Sequence, residues 1–178
     1  MIPTVKKFIE THLDEIDAND FETLYFELGK TCNMIEHGIF TETLLAAGIN
    51  PIEYCQHIPD GMFYNHTFSS FIIPKHIKGI DPFAFGKCFS LQEIEIPMNV
   101  EIIFDNAFGY CRELKKVIFT NPDITLARKA FFRDDFIEEV IYNGTVDQFK
   151  KMCHRCDNPA NIYSAPLIKC KDGIIDQK

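Results

Sequence analysis

Ile73-Pro74-Lys75-His76-Ile77-Lys78-Gly79-Ile80-Asp81-Pro82-Phe83-Ala84-Phe85-Gly86-Lys87-Cys88-Phe89-Ser90-Leu91 aligns without a gap on Ile96-Pro97-Met98-Asn99-Val100-Glu101-Ile102-Ile103-Phe104-Asp105-Asn106-Ala107-Phe108-Gly109-Tyr110-Cys111-Arg112-Glu113-Leu114, 23 residues further along the chain. A third copy keeps the offset at Phe119, Leu126, Ala130-Phe131, Asp134 and Ile137. Upstream, Ile58-Pro59-Asp60-Gly61-Met62-Phe63-Tyr64 begins a first copy that is one residue short, as terminal repeats often are. A fixed period of about 20 to 29 residues with apolar residues in fixed slots is the mark of a stacked solenoid. In such a stack each unit touches only its neighbours.

The positions of the apolar slots give the physical reason. Leu91, Ile94 and Ile96 recur as Leu114, Val117 and Phe119, then as Ile137, Val140 and Tyr142, and Phe68, Phe71 and Ile73 precede them. Each triplet ends in apolar-x-apolar, the alternation of a short strand that buries one face. One unit cannot bury that face alone. Stacked at a strand spacing of about 4.8 Å, four units make a parallel sheet with continuous columns of Phe, Ile and Leu. Ala-Phe at 84–85, 107–108 and 130–131 is the second fixed block. There the small residue lets backbones approach and the ring fills the coil.

The pattern I-P-x-x-V-x-x-I-x-x-x-A-F-x-x-C-x-x-L-x-x-I-x-I resembles the BspA-type leucine-rich repeat, over about residues 58 to 152. The stretch from Tyr142 to Phe149 is similar to the short helix that closes such arrays, and Leu167-Ile168-Lys169-Cys170-Lys171-Asp172-Gly173 to their last strand. Two departures stand out: Asp134 replaces the Cys of Cys88 and Cys111, and Thr120 replaces the proline of Ile-Pro. The resemblance implies an α+β fold, a leucine-rich-repeat solenoid of about four 23-residue repeats with an N-terminal α-helical cap and a C-terminal cap. It implies a binding scaffold and brings no catalytic residues.

The chain divides by composition into 1–57, an acidic helical cap, 58–144, the repeats, and 145–178, a closing helix and strand, expected to form one cooperative unit. Val5, Phe8, Ile9, His12, Leu13 and Ile16 fall at helical spacing, and Asp20 caps a second helix with Leu24, Tyr25 and Leu28. Thr41 to Ala47 reads as a third helix stopped by Gly48, and Asn50-Pro51-Ile52-Glu53 as the capped start of a fourth. Such a block covers the raw apolar end of the first coil. The net charge of −8 sits in this part: residues 1–60 hold 3 Lys against 11 Asp or Glu, and residues 61–178 hold 15 of each sign. That balance disfavours direct nucleic-acid binding, which rests on Lys and Arg at phosphates. It is read either as a solvated face or as a docking patch for a basic partner, with Glu10, Asp14 and Asp17 as its representatives.

No apolar run of secretory or membrane-spanning length is present, so the expected location is the cytoplasm, or the host cytoplasm for a phage-encoded chain. The chain has seven cysteines, and Cys88 and Cys111 occupy equivalent slots that read as buried packing. Cys153-His154-Arg155-Cys156 has metal spacing, and Cys170 would complete four ligands; the preferred reading is that no metal and no cofactor is bound. A cysteine nucleophile is the enzymatic alternative. Cys55 and His57 are close in sequence, but on a helix that spacing sends them to different faces. Glycine-rich phosphate loops, Gly-x-Ser-x-Gly and His-Glu-x-x-His are absent from the sequence, so a non-enzymatic protein is expected.

Residues between the core slots face outward on the concave side in two columns: Ser70, Glu93, Lys116 and Glu139, and Ile72, Glu95, Ile118 and Ile141. Alternating Glu93, Lys116 and Glu139 support stacking by cross-strand pairing. The second column puts β-branched apolar groups around one carboxylate. It reads either as strand propensity alone or as a contact surface for another protein. Short unsecreted arrays of this kind in bacteria and bacteriophages suggest a further alternative, an effector that inhibits a host defence protein and uses the acidic block as docking surface or phosphate mimic.

Overall fold

The computed structural model of the chain describes residues 34–46, 48, 50–154 and 160–177. Four coils of the solenoid each contribute one strand to each of two parallel stacks. On one side lie two-residue strands, β1 (His57–Ile58), β3 (Gly79–Ile80), β5 (Ile102–Ile103) and β7 (Thr125–Leu126), side by side in that order. On the other lie β2 (Ser70–Ile72), β4 (Glu93–Ile96), β6 (Lys116–Phe119) and β8 (Glu139–Tyr142). The pairing Ile94↔Val117↔Val140 reproduces the 23-residue register expected from the repeat. Helix α2 (Val146–His154) and the short helix α3 (Ala160–Tyr163) follow, then β9 (Leu167–Cys170), parallel to β8. A two-residue turn leads to β10 (Gly173–Asp176), which closes the larger sheet antiparallel. This last strand was not foreseen.

Between the sheets the apolar slots interlock. Leu91, Leu114, Ile94, Val117, Val140, Ile96 and Phe119 are all buried. The Ala-Phe blocks form a ladder of rings: Phe63 on Phe85 at 5.3 Å, Phe85 on Phe108 at 5.0 Å and Phe108 on Phe131 at 4.9 Å, centroid to centroid, the last two nearly parallel at 2° and 6°. Main-chain bonds run along it, Phe63 N to Ala84 O at 2.8 Å, Phe85 N to Ala107 O at 2.7 Å and Phe108 N to Ala130 O at 2.9 Å. Met62-Phe63 is therefore the first copy's Ala-Phe; the offset to the next coil is still 22 at Asn65 and is 23 again by Ser70, so the missing residue is absorbed between them.

Each coil then passes a residue through the left-handed region, Asn65 (φ 63°), Lys87 (57°), Tyr110 (66°) and Arg133 (65°), and the first three coils also pass Gly61 (64°), Phe83 (56°) and Asn106 (56°). Outside Asn and Gly this costs about 1–2 kcal/mol per residue. The neighbouring coil holds the turn in place, since Asn65 N, Lys87 N and Tyr110 N each donate to the next coil's carbonyl at 2.8 Å. Thr120 compensates the lost proline: its N–H and its hydroxyl both donate to Ile96 O, at 3.0 and 2.9 Å.

The N-terminal cap differs in detail from the expected helices. Helix α1 (Met34–Ala46) already runs seven residues before Thr41 and ends before Gly48, whose φ is 81°. It buries Phe40, Thr41 and Leu44. Gly38 meets the first coil so closely that a Cβ there would fall on the Tyr64 carbonyl. The expected fourth helix is a single 3-10 turn, Pro51–Tyr54; the Asn50 side chain makes no cap and instead donates to Glu53 Oε1 at 3.1 Å. Chain entry into β1 pulls the backbone extended at Cys55 (φ −112°, ψ 142°), so the turn cannot propagate. The helices expected at Val5–Ile16 and from Asp20 lie outside the described residues.

Candidate functional site

Strand pleat decides which side chains leave the core. On the six-stranded sheet the outward positions stack into two columns, Ser70–Glu93–Lys116–Glu139–Leu167 and Ile72–Glu95–Ile118–Ile141–Lys169. The seven residues singled out above, Ile72, Glu93, Glu95, Lys116, Ile118, Glu139 and Ile141, are thus brought onto one face. Ile72 is 90% exposed and Glu93 and Glu95 are exposed, whereas Lys116, Ile118, Glu139 and Ile141 are half-buried by their neighbours. The C-terminal segment extends this face at its edge instead of folding over it. Beside Lys169 it adds Ile174, 65% exposed.

Charges on the face are arranged differently from simple alternation. Lys116 Nζ reaches Glu93 Oε2 at 3.0 Å, as expected. Glu139 turns to Lys169 Nζ, 2.5 Å away on β9, a diagonal pair that requires the fifth strand. Each such pair is worth a few tenths of a kcal/mol at the surface, about 0.2–1 kcal/mol. The Glu95 carboxylate makes no ion pair or hydrogen bond with the described residues.

Behind the sheet a column of polar or soft residues runs through the turns: His66, Cys88, Cys111 and Asp134. Cys88 Sγ donates to Phe63 O at 3.1 Å and Cys111 Sγ to Phe85 O at 3.2 Å. Burial pushes the Cys111 thiol well up, which keeps it protonated and inert. Asp134 accepts the Cys111 N–H at 2.7 Å through Oδ1, while its buried Oδ2 has no hydrogen-bond partner among the described residues. Burial raises this carboxyl to about 9, against the pull of the Cys111 N–H. At the first coil His66 packs on Phe63 and Phe68, at 5.5 and 5.6 Å, and burial lowers its pKa. His66 is thus half-buried, with its Nε2 enclosed.

The remaining sequence candidates do not assemble. Cys55 is buried and donates to Pro51 O at 3.4 Å, and His57 pairs with Asp81 Oδ1 at 3.0 Å. The two are committed to different partners, and neither lies within a helix; the helical spacing assumed for them is corrected by the 3-10 turn and strand β1. Room for the His57 ring comes from Gly79, where a Cβ would lie 2.6 Å from the imidazole. Cys153 is buried on α2, Cys170 is half-buried on β9, His154 ends α2, and Cys156 lies outside the described residues. Among the described residues no three His, Cys, Asp or Glu side chains are grouped to hold a metal ion. Burial raises the Cys170 thiol and carries the Tyr142 hydroxyl to about 12, where it donates to Pro122 O at 2.5 Å. Glu10, Asp14 and Asp17 also lie outside the described residues. No described helix is long and apolar enough to cross a membrane.

Comparison with known families places this geometry. Residues 56–163 match the family described as "BspA type Leucine rich repeat region (6 copies)". The chain belongs to the BspA-type leucine-rich repeat family. The match covers all four coils and α2, so the BspA-type assignment rests on the same residues as the stacked strands and the ring ladder. BspA-type repeats are a protein-interaction scaffold, and the family is typically non-enzymatic. No curated protein and no solved structure matches the chain.

Proposed function

We propose that the chain is a non-enzymatic binding protein whose partner protein docks on the outward face of the six-stranded sheet. The observation that carries this reading is the stripe Ile72–Glu95–Ile118–Ile141, held in register by parallel pairing and left open by every described element. Core residues of a protein contact are apolar and few, and a rigid sheet presents them without an ordering cost. The flanking pairs Lys116–Glu93 and Glu139–Lys169 supply a polar rim that is already neutralised.

Capture from lysate of the source cell tests it. Ile118→Glu or Ile141→Lys abolishes recovery of the partner while the melting temperature stays nearly unchanged, because neither residue is in the core. Retained capture in both variants, together with loss on reversing Glu10, Asp14 and Asp17, moves the contact to the acidic block and favours the phosphate-mimicking effector instead.

A further inference from the structure

Glu95 sits at the centre of the apolar stripe, with Ile72 and Ile118 as its Cα partners on either side. The face settles its other central charges internally: Lys116 is taken by Glu93 at 3.0 Å and Lys169 by Glu139 at 2.5 Å. Lys116 is diagonal to Glu95, the usual reach for a cross-strand pair, yet it turns the other way. Water solvates the carboxylate while the face is open. Once a partner covers Ile72 and Ile118 that water is excluded, and an unpaired buried carboxylate opposes binding strongly. An apolar partner surface is rejected by this residue, and an acidic one more so.

Resting on the face reading above, we propose that Glu95 selects the partner: the docking surface presents one Lys or Arg, flanked by apolar side chains, so that the cation meets Glu95 while its neighbours cover Ile72, Ile118 and Ile141. The face thus reads a basic residue in an apolar setting.

A yeast-displayed library of random twelve-residue peptides, selected on the folded chain, tests this without knowledge of the natural partner. Clones whose binding is lost with Ile118→Glu define the face. Among them the expected result is enrichment of Lys or Arg between apolar residues. Affinity should fall about 30-fold or more with Glu95→Lys, and less with Glu95→Gln. It should recover when the clone's basic residue is changed to Glu. Face-directed clones with no basic enrichment, or indifferent to Glu95→Lys, overturn the role of Glu95 and leave the face reading intact. If every clone ignores Ile118→Glu, or none binds, the face reading fails and this inference with it. Thermal melts of Glu95→Lys and Glu95→Gln, both at an exposed position, separate lost recognition from lost folding.

Discussion

Asp134 occupies the slot where the two preceding coils have cysteine, and the exchange has a thermodynamic sign. Its carboxyl sits near 9 in the folded chain and near the usual carboxylate value when unfolded, because burial disfavours the charged form. A raised carboxyl favours folding fully only below the unfolded value, and its contribution is lost as pH rises towards the folded one. Asp134→Asn keeps an acceptor for the Cys111 N–H and removes the titration. Denaturant unfolding should show the variant close to wild type at about pH 4 and more stable by about 1–3 kcal/mol near pH 8. A difference independent of pH would contradict the burial of this group. His66, at the other end of the same column, has the opposite sign: its pKa is lowered chiefly by burial, although Glu42 and the Gly38 backbone act against this. The stability it gives is present above about pH 6.5 and lost as pH falls through the folded value. Amide protection of α1, corrected for intrinsic exchange, should therefore drop between about pH 7.5 and about pH 5 in wild type but not in His66→Gln.

Among the elements, the longer strands were the most legible, because a buried period-two face repeated every 23 residues admits one register. Leu114 lies in a central coil with neighbours on both sides and is fully buried. Leu114→Ala should cost about 2–5 kcal/mol by leaving a cavity that stacked rings cannot collapse into, measured by chemical unfolding. What escaped the sequence had local causes. The two-residue strands of the smaller sheet are too short to show any alternation. The equivalence of His66 with Cys88 was hidden by the one-residue deletion, which becomes visible only when Phe63 is seen bonding to Ala84. Asn50-Pro51-Ile52-Glu53 has every signal of a helix start, but extended backbone at Cys55 stops it after one turn. Strand β10 repeats nothing, and although strand β9 was expected, its place beside β8, which brings Lys169 to Glu139, was not. The seven face residues were readable because strand pleat alone places them. Their role in binding was not, since recognition depends on a partner the sequence does not contain.

At the scale of the whole molecule, a ladder of rings and main-chain bonds makes a rigid sheet, and the sheet exposes an apolar stripe around one unpaired carboxylate. The helical cap packs onto the first coil through Gly38, Phe40 and Leu44, which leaves the outward face clear of it among the described residues. Contact through such a stripe is governed by desolvation and contact through the acidic block by long-range charge, and salt separates the two. The most direct measurement is titration calorimetry of the purified partner with wild type, Ile118→Glu and the Glu10/Asp14/Asp17 charge reversal at low and high salt. The account predicts that Ile118→Glu eliminates binding, that the charge reversal leaves it nearly intact, and that wild-type affinity changes little with salt. Binding that survives Ile118→Glu and collapses at high salt would contradict it.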